Sequence, residues 1–134
     1  DPGNLGTILR TADALEVPIV LLDGCADTYN PKTVRASMGA VFRTQPQHLT
    51  REAAVAACRE AGIPLLATAM SSDAVDLREA DLGASAVIIG SEGQGICQTL
   101  FDAAEQKIII PMSPRCESLN AAVAATIVMW QMKR

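Results

Sequence analysis

The sequence predicts an α/β fold: a parallel sheet with helices on both faces. Four short apolar runs recur, each bounded by Pro or Gly, at residues 19–22, 65–67, 86–89 and 108–110. None alternates apolar with polar residues, so each reads as a strand buried on both faces, the pattern of a parallel sheet. Helical patterns lie between the runs, and strands alternating with helices imply right-handed crossovers.

The elements follow in order. The chain opens Asp1-Pro2-Gly3-Asn4 with no Met and no strand ahead of a helix expected from about Leu5, with Asn4 as its cap. The first run, Ile19-Val20-Leu21-Leu22, stops at Asp23-Gly24. A second helix is expected over Arg51–Ala61, where Thr50 caps the start, Glu52 and Glu60 flank an alanine-rich body, and Gly62 ends it. Residues 65–67 follow Pro64, residues 86–89 run into Gly90, and residues 108–110 end at Pro111. The last helix is expected over residues 118–133, with Ser118 as a candidate N-cap. Leu119, Val123, Ile127 and Trp130 line one stripe of it, while Ala121, Ala125, Val128, Met129 and Met132 fill much of the rest. One sheet cannot cover both sides, so a homodimer with this helix at or beside the interface is expected.

Composition narrows the class. At 134 residues, 49% apolar and 19% charged, the chain is a globular domain with one core expected. Its longest apolar stretches fall far short of the roughly 20 residues that span a bilayer, and no secretory signal opens it, so a cytoplasmic location without a membrane is expected. The four cysteines form no C-x-x-C and His48 is the lone histidine, so free thiols are expected and no metal site. A net charge of −4 argues against indiscriminate binding to a polyanion. The charge is uneven, however. Residues 28–51 contain no acid and carry Lys32, Arg35, Arg43 and Arg51, making this segment the first candidate for a phosphate backbone.

Three segments carry candidate chemistry, and each sits where an α/β fold places ligands, at the carboxyl end of a strand. In Asn4-Leu5-Gly6-Thr7-Ile8-Leu9-Arg10, an arginine in mostly apolar company calls for an anionic partner. In Ile89-Gly90-Ser91-Glu92-Gly93-Gln94-Gly95, glycines after a strand let backbone N–H groups approach a ligand. The order G-x-x-G-x-G reverses the dinucleotide fingerprint and no G-K-[ST] follows, which disfavours a nucleotide-dependent oxidoreductase or an ATPase. Glu92 within that loop suits a cationic or hydroxyl-rich ligand better than a phosphate. The third segment, Ile110-Pro111-Met112-Ser113-Pro114-Arg115-Cys116-Glu117-Ser118-Leu119-Asn120, packs more polar groups around a helix start than a cap requires.

Taken in order, Asn4-x-Gly6-x-x-x-Arg10, Ile89-Gly90-Ser91-Glu92-Gly93-x-Gly95, and Ile110-Pro111-Met112 followed by Ser118-Leu119-Asn120 resemble the three motifs of the SpoU/TrmH family of RNA ribose 2′-O-methyltransferases. Residues 30–40 are similar to the family's strand-to-helix segment, so the resemblance covers almost the whole chain, read as one catalytic domain over residues 1–134. It implies a SPOUT-type fold with a carboxyl-terminal trefoil knot, an exception to the rule against knots. It also implies that S-adenosylmethionine is held by Thr68, Ala69, Met70, Gly90, Glu92, Gly93, Gly95, Ile109, Ile110, Met112, Ser118 and Leu119.

The resemblance places Arg10 at the ribose 2′-hydroxyl, supported by Asn4, Glu92, Ser118 and Asn120, with the arginine reaching the other protomer's cofactor. Lys32, Arg35, Arg43 and Arg115 become the expected RNA contacts. The partner is then RNA, with ribosomal preferred over transfer RNA. The family's first strand and its frequent amino-terminal RNA-binding domain are expected to lie outside this sequence. Ser113-Pro114-Arg115-Cys116 stands where many relatives place glycine. The alternative is a non-catalytic RNA-binding or dimerisation module that keeps the fold.

Overall fold

The computed structural model describes residues 1–91, 95–116 and 118–133. Six helices and six strands lie along them, alternating except where α3 follows α2 and where β3, β4 and β5 follow one another: α1 (Pro2–Leu15), β1 (Val20–Leu21), α2 (Pro31–Ser37), α3 (Ala40–Thr44), β2 (Gln47–His48), α4 (Arg51–Ala61), β3 (Leu65–Thr68), β4 (Val75–Asp76), β5 (Ala86–Ile88), α5 (Gln98–Ala103), β6 (Gln106–Ile109) and α6 (Ala121–Met132). The chain divides into two compact units, Asp1–Thr50 and Arg51–Arg134, where one core was expected. Each unit has its own apolar cluster.

In the first unit β1 and β2 pair in parallel, Val20 with Gln47 and Leu21 with His48. Leu5, Leu9, Leu21 and Val41 form its core. Helix α1 starts earlier than expected. The Asp1 carboxylate accepts from the N–H groups of Gly3 (2.7 Å) and Asn4 (3.0 Å), and Pro2 enters at a position whose N–H would be unpaired anyway. Asn4 therefore lies inside the helix rather than capping it. Gly6 is where α2 crosses. A Cβ there would lie 2.6 Å from the Ala36 Cβ and 3.0 Å from the Ser37 nitrogen, and closer still to the Thr33 carbonyl oxygen.

In the second unit all strand pairs are parallel, in the order β4-β6-β3-β5. The central pair is β3 with β6, neither at an edge. Leu66, Leu77, Leu82, Ile108 and Val128 form the core, so α6 lays Val128 against the sheet. Helix α4 occupies the expected span and ends at Gly62, whose φ of +69° suits glycine. Helix α6 begins later than expected: its cap is Asn120, whose Oδ1 accepts from Ala122 N–H (2.9 Å) and Val123 N–H (3.2 Å), in place of Ser118. Its buried face is Ala122, Ala125, Val128 and Met129, while Val123, Ile127 and Trp130 are exposed. Among the described residues no helix is long and apolar enough to cross a membrane.

Candidate functional site

Parallel neighbours end on the same side of a sheet, so the chain leaves β5, β3 and β6 at one edge. The register carries this to the last residues: Ala67 pairs with Ile88, and Thr68 with Ile108. Beyond it the Thr68 hydroxyl donates to the Ile88 carbonyl (3.1 Å) and the Ala69 N–H to the Ile108 carbonyl (2.9 Å). These links tie the three tips together around a cavity of about 490 Å³. Thr68, Ala69 and Met70 line it from the β3 tip. Ile89, Gly90, Ser91, Gly95 and Ile96 line it from the β5 tip, and Ile108, Ile109, Ile110 and Met112 from β6. Ser118, Leu119, Ala121, Ala124 and Phe101 complete the wall.

Gly90 is required by packing rather than by backbone conformation. A Cβ on it would lie 2.6 Å from the Gly95 carbonyl carbon and 2.8 Å from the Ile96 nitrogen. Gly95, at φ +68°, returns the chain, and its N–H donates to the Ser91 carbonyl at 2.9 Å. A concave pocket of this size, with mostly apolar side chains and a few polar groups, is of the kind that holds a small-molecule ligand.

The expected cofactor residues Thr68, Ala69, Met70, Gly90, Gly95, Ile109, Ile110, Met112, Ser118 and Leu119 all line this cavity. Glu92 and Gly93 lie outside the described residues. Sequence reasoning missed Phe101. Its place depends on α5 packing against β3, and no motif marks it. The Lys107 ammonium sits 4.7 Å from the Phe101 ring centroid, a cation–π contact at the cavity wall. A second cavity, about 520 Å³, is lined by Arg78, Ala80, Asp81, Leu82, Gly83, Gln131 and Met132 and holds none of the expected residues. Among the described residues no group of three or more His, Cys, Asp or Glu side chains is placed to hold a metal.

Near the β3 tip, the Ser71 hydroxyl donates to Asp73 and holds its carboxyl below the usual range, helped by Asp73's own backbone and by Lys107. Asp76 at the end of β4 is pulled down to about 2, chiefly by the side-chain hydrogen bonds from Arg78.

Ser118 and Asn120 are carried by the second unit, Asn4 and Arg10 by the first. On α1 the latter two are six residues apart, about 120° around the helix, so they do not share a face. Arg10 is exposed and makes no ion pair among the described residues. Lys32 and Arg35, also exposed, lie one turn apart on α2, opposite the buried Thr33 and Ser37. Arg43 differs from them. Its Nε and Nη2 donate to Asp13 Oδ2 at 3.0 and 2.8 Å, so its charge is already partnered. Arg115 is exposed, with its Nε donating to the Ser113 hydroxyl at 3.2 Å.

Known proteins share both sequence and fold. The chain is 34% identical over 134 residues to the 23S rRNA (guanosine(2553)-2′-O)-methyltransferase RlmP of Bacillus subtilis, covering 99% of this chain and 54% of that protein. The AdoMet-bound rRNA methyltransferase of Sinorhizobium meliloti superposes with a TM-score of 0.92 at 36% identity, over 100% of this chain and 52% of that one. The SpoU methyltransferase AviRb of Streptomyces viridochromogenes, in complex with AdoMet, gives 0.88 at 33% identity, over 100% and 56%. The chain thus spans about half the length of these three relatives. The sequence profile of the SpoU rRNA Methylase family matches residues 1–130, and with three strand tips meeting at one pocket on a parallel sheet, the chain belongs to that family.

Proposed function

We propose that residues 1–134 form the catalytic domain of an S-adenosylmethionine-dependent methyltransferase acting on a ribose 2′-hydroxyl of structured RNA, ribosomal in preference to transfer RNA. One observation carries the reading: the tips of β3, β5 and β6 meet at a cavity lined by all ten described residues expected to hold the cofactor. The preference for ribosomal RNA draws on the named activity of the Bacillus relative.

In this reading Gly90, Ile110 and Leu119 hold the cofactor mainly through backbone atoms, with Thr68, Ala69, Met70, Met112 and Ser118 around them. Glu92 and Gly93 belong to the same proposed set. When bound, S-adenosylmethionine supplies an electrophilic methyl group on a sulfonium. A ribose hydroxyl attacks poorly until its proton is removed or strongly hydrogen-bonded. Arginine, with a pKa above about 12, is a weak base but a strong directional donor. An RNA phosphate beside Arg10 orients the guanidinium against the 2′-oxygen, and positioning accounts for much of the rate. Asn4, Glu92, Ser118 and Asn120 support that arrangement. Lys32, Arg35 and Arg115 take backbone phosphates, which position RNA without reading its sequence. Arg43 joins them only by leaving Asp13.

Three further features belong to the proposal. The segment after β6 closes a trefoil knot, supported by the last strand lying inside the sheet. A homodimer forms through α6, supported by its exposed Val123, Ile127 and Trp130. The enzyme works in the cytoplasm, where its RNA is made and folded.

Calorimetric titration with S-adenosylhomocysteine, paired with mapping of ribose methylation on ribosomal RNA, tests the reading. Binding together with a mapped 2′-O-methyl group is expected. Absence of binding overturns it, and binding without methylation of any RNA points to a non-catalytic module.

A further inference from the structure

The chain has only four aromatic residues, Phe42, Phe101, Tyr29 and Trp130. A protein so short of large rings normally buries them, since each removes 150–250 Å² of surface from water. Two of the four instead stand exposed together in the first unit: Tyr29 is 66% exposed and Phe42 59%. Their ring centroids are 6.3 Å apart at an interplanar angle of 30°.

Both rings stand on anchored backbone. The Tyr29 N–H donates to Asp27 Oδ1 (2.9 Å), and the next residue, Asn30, caps α2 by accepting from the Lys32 N–H (2.9 Å). Phe42 sits in α3 beside Val41, which is buried in the core of this unit. The backbone that carries each ring is therefore anchored.

The charge around them is mainly positive. Both belong to the acid-free segment of residues 28–51, and α2 between them presents Lys32 and Arg35 outward. Asp13 is paired with Arg43, while Asp27, which accepts from the Tyr29 amide, keeps its charge at the edge of the patch, against Lys32 and Arg35. Exposed rings beside unpaired cations are the composition with which proteins hold unpaired nucleic acid, rings on bases and cations on phosphates. A second copy of the chain fits less well, because a two-fold contact sets the same patch against itself and would bring cation towards cation.

We propose that Tyr29 and Phe42 form a stacking platform for an unpaired base of the RNA substrate, with Lys32 and Arg35 on the neighbouring phosphates. This rests on the RNA-directed reading above and adds to it where an unpaired base is gripped. The platform makes the enzyme favour RNA with splayed-out bases over continuous duplex.

The test is binding of the full chain to an unpaired oligoribonucleotide of about 12 nucleotides and to a duplex of the same length, followed by anisotropy over a range of salt. Tyr29→Ala with Phe42→Ala is expected to weaken unpaired binding roughly ten- to hundred-fold, leaving the salt slope and the duplex affinity unchanged. Tyr29→Phe with Phe42→Tyr, which keeps both rings, is expected to bind like the parent, whereas Phe42→Leu, apolar but not aromatic, loses affinity. The last pair separates stacking from a packing role should the double alanine variant misfold. Unchanged affinity, or equal loss on both RNAs, overturns the proposal. A change of mass in light scattering with RNA binding intact assigns the patch to a second copy and overturns it too. If the parent chain binds neither RNA, the RNA-directed reading falls as well.

Discussion

The Gly90 Cα and the Gly95 carbonyl carbon approach so closely that a side-chain carbon on Gly90 would sit 2.6 Å from the latter. The β5 tip thus folds back on itself at the cavity wall, with no room for a methyl group. Gly90→Ala is expected to force the loop open at a cost of about 1–3 kcal/mol. The expected result is at least ten-fold weaker S-adenosylhomocysteine binding by calorimetry. Gly62→Ala, at a helix end with nothing within 4 Å of its would-be Cβ, is the control: strained backbone, unaltered affinity.

Gly6 answers a different need. Alanine there would gain about 1 kcal/mol in helix propensity were α1 alone in solution. Instead its Cβ would meet Ala36 at 2.6 Å and the backbone of Thr33 and Ser37. Packing wins, because backbone atoms cannot turn aside as a side chain can. Gly6→Ala is expected to lower stability by about 1–3 kcal/mol in urea unfolding, reversing the sign that propensity alone assigns.

Asn120 has a structural task that its place in the third motif hides. Its side chain caps α6 through two N–H groups at 2.9 and 3.2 Å. Asn120→Ala is expected to cost about 1 kcal/mol, and Asn120→Asp close to nothing, since aspartate caps as well. Loss of methyl transfer in the stable aspartate variant would identify a second task beyond the cap.

What was legible in the sequence follows from how local each signal is. The runs ending at Gly90 and Pro111 could be placed because an apolar stretch cut by glycine or proline is a strand end on its own evidence, and the run at 65–67 because Pro64 marks its start. Parallel order then brings those ends to one cavity. Helix starts were less legible. Asp1 and Asn4 both cap well, as do Ser118 and Asn120, and only hydrogen-bond geometry separates them. The strands Gln47–His48 and Val75–Asp76 are two residues each, too short to show a period. The Arg43–Asp13 pair joins residues 30 apart through the packing of α3 against α1, so no spacing announces it.

The Asp76 carboxyl is held at about 2 against an ordinary 3.8, chiefly by hydrogen bonds from Arg78. A depressed carboxyl stabilises the folded state above its unfolded value and loses that contribution as pH falls through its folded one. The window is therefore between about pH 4 and pH 2. Both side chains reach solvent, so the effect is small and screened by salt. Asp76→Asn is expected to flatten the fall in stability across that window at low ionic strength, with little difference at 1 M salt. Urea unfolding at several pH values measures it.

Arg10 and Arg35 are both exposed cations of the first unit, and the proposal gives them opposite signatures. Arg35 on a phosphate acts through counterion release, so Arg35→Ala is expected to weaken RNA binding on all sequences and to lower the salt slope by about 1. Arg10 acts on the reacting hydroxyl, so Arg10→Ala is expected to cut single-turnover methyl transfer by roughly 10²–10⁴-fold. S-adenosylhomocysteine affinity should stay at the parent value in that variant, because the residues lining the cavity belong to the other unit. Arg10→Lys keeps the charge but loses the planar fork, and charge alone would restore the rate. Failure of lysine to rescue, with cofactor binding intact, identifies directional hydrogen bonding as the contribution. Full activity in Arg10→Ala would remove this residue from the chemistry and leave the phosphate contacts to account for everything it does.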